Sequence, residues 1–176
     1  MYKDIHGKFK GAIIMLVKNI LNQEYDCNCV GCSIGNGEMI PPGEIIIETN
    51  NFVLHQDPEI PIKAFLIIAS KKHIKSISEL TYDEAQELFD LVYRGRIALK
   101  CINEIKEVSI IQEERSGHFH LWLFPRYEWM DEKFENSLST VRDIMFYARE
   151  NKKSEENIAD ILSTVNLIKS ILAEEK

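Results

Sequence analysis

The segment Ser116-Gly117-His118-Phe119-His120-Leu121-Trp122-Leu123-Phe124-Pro125-Arg126 places two histidines at alternate positions in an otherwise apolar run. A β-strand repeats every two residues, so both imidazoles leave one face while Phe119, Leu121 and Leu123 leave the other. The second face calls for a hydrophobic layer to cover it. On the first, two titratable rings side by side point to a site rather than to packing.

The rest of the chain supplies layers. Ile45-Ile46-Ile47 reads as a strand, Asn50-Asn51 as a turn and Phe52-Val53-Leu54-His55 as its hairpin partner. Asp57-Pro58-Glu59-Ile60-Pro61 interrupts the pattern, and Ala64-Phe65-Leu66-Ile67-Ile68-Ala69 follows as a strand buried on both faces, with Lys71-Lys72-His73-Ile74 at its end. A helix starts near Thr81, where Thr81 and Glu84 have capping-box spacing, and Leu88, Leu91, Val92 and Ile97 form its inner face. Val108–Gln112 and His118–Phe124 are further strands, joined tightly through Glu114-Arg115-Ser116-Gly117. Helical periodicity takes over at Phe134–Arg149 and Glu155–Leu172, and an approximate apolar stripe predicts a first helix over residues 8–22. This order of elements predicts an α+β layer fold: one antiparallel sheet, one long helix and additional terminal helices. A single domain over 1–176 is expected, with 1–26 an N-terminal helical extension and 127–176 a C-terminal helical region.

At 176 residues the chain can bury one substantial core. Its net charge of −7 gives no general attraction to nucleic acid, while leaving room for a local nucleotide site. The apolar run Gly11–Val17 stops at Lys18, short of the roughly 20 residues of a membrane span, and no small-residue cleavage site follows it. The expected location is cytoplasmic.

Three of the four cysteines, Cys27, Cys29 and Cys32, crowd one segment, unlike an evenly spaced disulfide framework; the fourth is Cys101. Cys29-Val30-Gly31-Cys32 has the spacing of a two-thiolate zinc knuckle, in which Gly31 eases the backbone reversal; the same spacing also serves redox dithiols. Tetrahedral zinc needs two more donors, to be drawn from His6, His55, His73, His118 and His120, with Cys27 a secondary choice. Taken alone, His73 reads first as a surface histidine in a Lys-Lys-His stretch and only second as a ligand.

The string Gly117-His118-Phe119-His120-Leu121-Trp122-Leu123-Phe124-Pro125-Arg126 resembles the signature strand of the histidine-triad (HIT) superfamily: His, apolar, His, apolar, His, two apolar residues, then commonly Pro-Arg. The likeness extends upstream through Phe52–Asp57, Pro61, Phe65–Ile74 and Ile77–Thr81, and an N-terminal Cys-x-x-Cys is similar to that of zinc-bearing members. Together these cover about residues 27–126. The resemblance implies a HIT-like fold, a small nucleotide as partner and pairing into a homodimer. By position it makes His120 the nucleophile that attacks a nucleotide α-phosphate, and Cys29, Cys32, His73 and His118 the ligands of a structural zinc. Phe52 and His55 would line the base pocket. A nucleotide phosphohydrolase is implied first; a zinc-stabilised nucleotide-binding protein without catalysis, or a nucleotidyltransferase, is the alternative.

Two departures stand out. Trp122 occupies the third triad position and would lie at the nucleotide with an indole N–H but no transferable acid proton. Glu113-Glu114 replaces the Gly-Gln-like lead-in and would repel phosphate unless it faces away or binds a cation. Arg115 and Ser116 are candidates to hold phosphate oxygens, or else an ordinary polar turn.

Overall fold

The computed structural model describes residues 14–174. Its centre is a five-stranded antiparallel sheet in the order β3-β4-β5-β7-β6, built from β3 (Ile45–Glu48), β4 (Phe52–Gln56), β5 (Leu66–Ser70), β6 (Glu107–Gln112) and β7 (His120–Arg126). Strand alternation divides the core into two layers. On one face Phe52, Leu54, Leu66, Ile68, Phe119, Leu121 and Leu123 meet Leu88, Leu91, Ala98 and Leu99 of the long helix α2 (Tyr82–Lys100) and Ile168 and Leu172 of α5 (Glu155–Glu174). On the other, Val53, Ile67, Ala69 and Phe124 pack with Ile34 of α1 (Val30–Gly35), Met130 of α3 (Glu128–Asp131), Val141, Ile144 and Ala148 of α4 (Val141–Asn151), and Ile60 and Phe65.

Local chemistry sets the ends of these elements. The Thr81 hydroxyl accepts from the Glu84 N–H at 3.3 Å, and the Glu84 carboxylate accepts from the Thr81 N–H at 2.9 Å, so the expected capping box starts α2. Gly117, with φ of 78°, reverses the chain between the short 3-10 turn Glu114–Ser116 and β7. No helix among the described residues is long and apolar enough to cross a membrane.

Three expectations are corrected. The N-terminal helix over 8–22, and with it the helical extension over 1–26, gives way in the described residues to a hairpin of β1 (Met15–Lys18) and β2 (Glu24–Cys27); residues 8–13 and His6 lie outside the described residues. The Asn19 side-chain oxygen accepts from the N–H groups of Leu21 and Gln23, and Asn22 adopts φ of 62°, so local turn bonds outcompete the helical ladder. Residues 26–37, whose small and polar composition reads as a loop in the sequence, contain the end of β2 and the short α1. The helix expected from Phe134 starts only at Val141, because buried Arg126 donates to the Ser137 carbonyl at 2.6 Å and holds the preceding residues in a turn.

Leu123 is fully buried between sheet and α2, whereas Tyr82 on the outer side of α2 is 77% exposed. Leu123→Ala is expected to lower unfolding stability by about 2–5 kcal/mol through lost transfer energy and a residual cavity. Tyr82→Ala should stay within about 0.5 kcal/mol. Urea unfolding of both variants checks the pair.

Candidate functional site

Cys29 is the N-cap residue of α1 and Cys32 lies one turn into it, which turns both sulfurs to the same side of a short helix. His73 lies beyond the end of β5 and His118 just before β7; Sγ of both cysteines and one ring nitrogen of each histidine lie within 4.8 Å of one another. His118 Nδ1 is 3.3 Å from Cys29 Sγ, 3.6 Å from Cys32 Sγ and 3.3 Å from His73 Nδ1, and His73 Nδ1 is 3.2 Å from Cys32 Sγ. Zinc bond lengths imply tetrahedral edges of about 3.3 Å between two nitrogens and about 3.5 Å between nitrogen and sulfur. The observed separations match that figure closely.

The tautomer matches too. A carbonyl only accepts, so His118 Nε2 carries the proton donated to the Ser70 carbonyl at 2.8 Å, leaving Nδ1 bare toward the sulfurs. Burial, partly offset by that carbonyl, lowers the His118 pKa and favours the neutral ring. Gly31 has a reason different from backbone reversal: a Cβ there would lie 2.3 Å from the His118 ring. Only glycine lets the helix come this close. Cys27 is buried in the core and Cys101 is exposed at the far end of α2, both outside the cluster.

Beside the cluster opens a cleft of about 470 Å³, lined among others by His55, Asp57, Ile67, Ser116, His120 and Trp122. This is the size of a small-ligand pocket. His120 Nδ1–H donates to the His118 carbonyl at 3.1 Å, which leaves Nε2 as a free lone pair. Burial lowers the pKa of this ring, against the opposing pull of the His118 carbonyl and Glu113. Trp122 lies next to it, ring centres 5.6 Å apart, with the Arg142 guanidinium 5.9 Å over the indole.

No protein-family model matches the chain, and no curated protein matches it by sequence. Solved structures do. A zinc-bound histidine triad family protein from Mycobacterium smegmatis superposes with a TM-score of 0.58 at 18% identity, covering 84% of this chain and 94% of its own. A hypothetical histidine triad nucleotide-binding protein from Sulfolobus tokodaii gives 0.56 at 18%, covering 83% and 93%. A HIT family protein from Bacillus anthracis gives 0.52 at 24%, covering 79% and 95%. The chain has the histidine-triad fold.

On this histidine-triad frame the structure gathers Cys29, Cys32, His73 and His118 into one cluster, and His55, Ser116, His120 and Trp122 around the adjoining cleft. Phe52 is a correction: alternation along β4 turns it to the α2 face, where it packs edge-on against Phe119 at 6.3 Å, with no exposure to the cleft. Arg115 is exposed on the 3-10 turn and does not line the cleft, so it is not placed to hold phosphate there. Ser116 uses its hydroxyl to donate to its own segment, including the His118 carbonyl at 2.9 Å. Glu113 is held in an ion pair by Arg142 of α4 and is absent from the cleft lining.

Sequence reasoning missed Asp57, Met145 and Arg149 as lining residues. Asp57 had a signal in Asp-Pro-Glu, since its Oδ1 accepts the Glu59 and Ile60 N–H groups, each at 2.8 Å, and rigidifies the rim. Met145 and Arg149 had none, because α4 reaches the cleft through tertiary packing alone.

His55 and Asp57 make the cleft pH-sensitive in opposite senses. Burial pushes His55 down to about 4, with a further contribution from His120, against the pull of the Gln56 carbonyl. Burial likewise pushes Asp57 up to about 7, outweighing its N–H donors. The folded chain refuses a His55 proton that the unfolded chain takes up near 6.5, so this contribution is lost as pH falls from 6.5 toward 4. It keeps an Asp57 proton that the unfolded chain releases near 3.8, so that contribution is lost as pH rises toward 7. Between pH 7 and about 4.5, the urea midpoint of His55→Phe should therefore rise relative to the parent, and that of Asp57→Asn should fall.

Proposed function

We propose that this chain is a zinc-stabilised nucleotide-binding protein of the histidine-triad type. The observation that carries the reading is the pairing of a four-donor cluster with a neighbouring cleft in which a neutral histidine presents a bare Nε2. Cys29, Cys32, His73 and His118 would hold the zinc, which supplies a crosslink between α1, the end of β5 and the entry to β7 and takes no part in chemistry. The metal-bearing homologue in fold from M. smegmatis supports the choice of zinc, and the S. tokodaii protein supports a nucleotide as ligand.

The fixed tautomer of His120 favours a further step. With Nδ1–H held by a carbonyl, Nε2 is oriented to attack the α-phosphorus of a dinucleoside polyphosphate or a nucleoside phosphoramidate. A nitrogen–phosphorus bond would form, the bond to the leaving group would break, and water would then release the nucleotide from His120. Arg149, the one lysine or arginine among the described lining residues, is paired with Glu59 at 3.5 Å and would exchange that carboxylate for the phosphate oxygens, while Glu113 is already paired with Arg142. Trp122 donates one N–H but cannot give the leaving group a proton, which favours binding without turnover for substrates that need that proton.

Titration calorimetry with adenosine monophosphate, followed by incubation with adenosine phosphoramidate and dinucleoside polyphosphates, tests both levels. Binding with no release of nucleotide supports the binding protein alone. Turnover that His120→Ala reduces by about a thousandfold or more supports the nucleophile. Absence of binding refutes both.

The zinc assignment makes its own prediction. Gly31→Ala forces the His118 ring away from the sulfurs and should weaken cobalt or zinc binding by about 10–100-fold, the usual cost of misorienting a ligand. Cobalt–thiolate absorption reads this directly.

A further inference from the structure

His55 combines a fixed ring, near-complete burial and an unsatisfied nitrogen. Only 2% of the residue is exposed, Nδ1–H donates to the Gln56 carbonyl at 2.8 Å, and Nε2 is buried with no partner among the described residues. The donor role of Nδ1 fixes Nε2 as an acceptor. Burial keeps the ring neutral at physiological pH, so the lone pair persists. A buried acceptor without a donor is costly, and a ligand that brings one removes the cost on binding. His55 lines the same cleft as His120, beside Ile60 and Ile67.

The sheet register says which part of a nucleotide would meet it. His55 pairs with Ile67 and Ile67 with Trp122, whereas His120 pairs with Ala69 and Ala69 with Val53. The two histidines are therefore two strands apart and two residues out of line, on the same face. Strand spacing and rise put their backbones about 12 Å apart. That separation spans a nucleoside monophosphate from its phosphorus to the outer edge of its base. Phosphate oxygens present lone pairs and would be repelled by a bare nitrogen; an exocyclic amino group presents N–H.

We infer that His55 Nε2 accepts a hydrogen bond from the amino group of the ligand's base, so that the cleft selects an amino-bearing nucleobase over one with no donor at that edge. This rests on the nucleotide reading above and adds a determinant of specificity to it. The buried imidazole reads the base, and the half-buried one two strands away meets the phosphate.

Adenosine monophosphate and purine riboside monophosphate differ only in the 6-amino group, which makes them the decisive pair. Calorimetry on the full chain should find the amino compound bound about tenfold more tightly, and His55→Phe should bind both with the weaker affinity. A second measurement needs no variant. In protein labelled with ¹⁵N-histidine, the His55 Nε2 resonance should move upfield on saturation with adenosine monophosphate and stay in place with the analogue lacking the amino group.

Equal affinity of the two nucleotides, or an unmoved Nε2 resonance, overturns the inference and leaves the nucleotide reading intact. So does a tenfold loss confined to 2′- or 3′-deoxyadenosine monophosphate, which would make a sugar hydroxyl the donor. If no nucleotide binds, both fall together.

Discussion

The hydrogen bond from His118 Nε2–H to the Ser70 carbonyl, 2.8 Å long, is the contact on which the site depends. It joins the end of β5 to the entry of β7 and fixes the tautomer that leaves Nδ1 facing Cys29, Cys32 and His73. The backbone of the same residue has a second task, since its carbonyl takes the proton of His120 Nδ1. One residue thus orients both the cluster through its side chain and the cleft through its main chain. Disturbing its ring would move the carbonyl as well, which couples the fastening of the fold to the state of the neighbouring imidazole.

Electrostatics in the cleft follow from burial more than from formal charge. In a chain of net charge −7 the cleft still carries little free negative charge, because its acids are engaged. Glu113 is countered by Arg142, Asp57 is raised toward neutrality, and Glu59 is paired with Arg149 at 3.5 Å. Trp122 has the Arg142 guanidinium 5.9 Å over its ring and packs perpendicular to Phe65 at 5.7 Å, so the residue at the third triad position is held by aromatic and cation contacts.

Much of this was legible in the sequence wherever a single local rule governed. Alternation in His118–Phe124 gave the correct faces, the Thr81–Glu84 spacing gave the start of α2, and the knuckle spacing gave two of the four clustered donors. His73 and His118 joined them only through a family resemblance, since sequence separation hides their proximity. Phe52 failed because an aromatic residue on a strand serves either face, and only the pairing of β4 with β5 decides which. The N-terminal helix does not form because the turn chemistry of Asn19 and Asn22 overrides its apolar stripe. In the sequence Gly31 signals backbone freedom, while its decisive property is the space it leaves for a ring far away in sequence.

Helix α4 carries a consequence for how such chains diverge. Met145 and Arg149 border the cleft, and Ile144 and Ala148 of the same helix are fully buried, although the helix lies beyond the segment that resembles known signature motifs. The C-terminal portion is therefore a component of the container and not an appendage. Lineages that keep the same histidine-bearing strand but exchange this helix would inherit the same imidazoles in a differently shaped vessel, so the contour of the cleft can drift while the strand stays where it was.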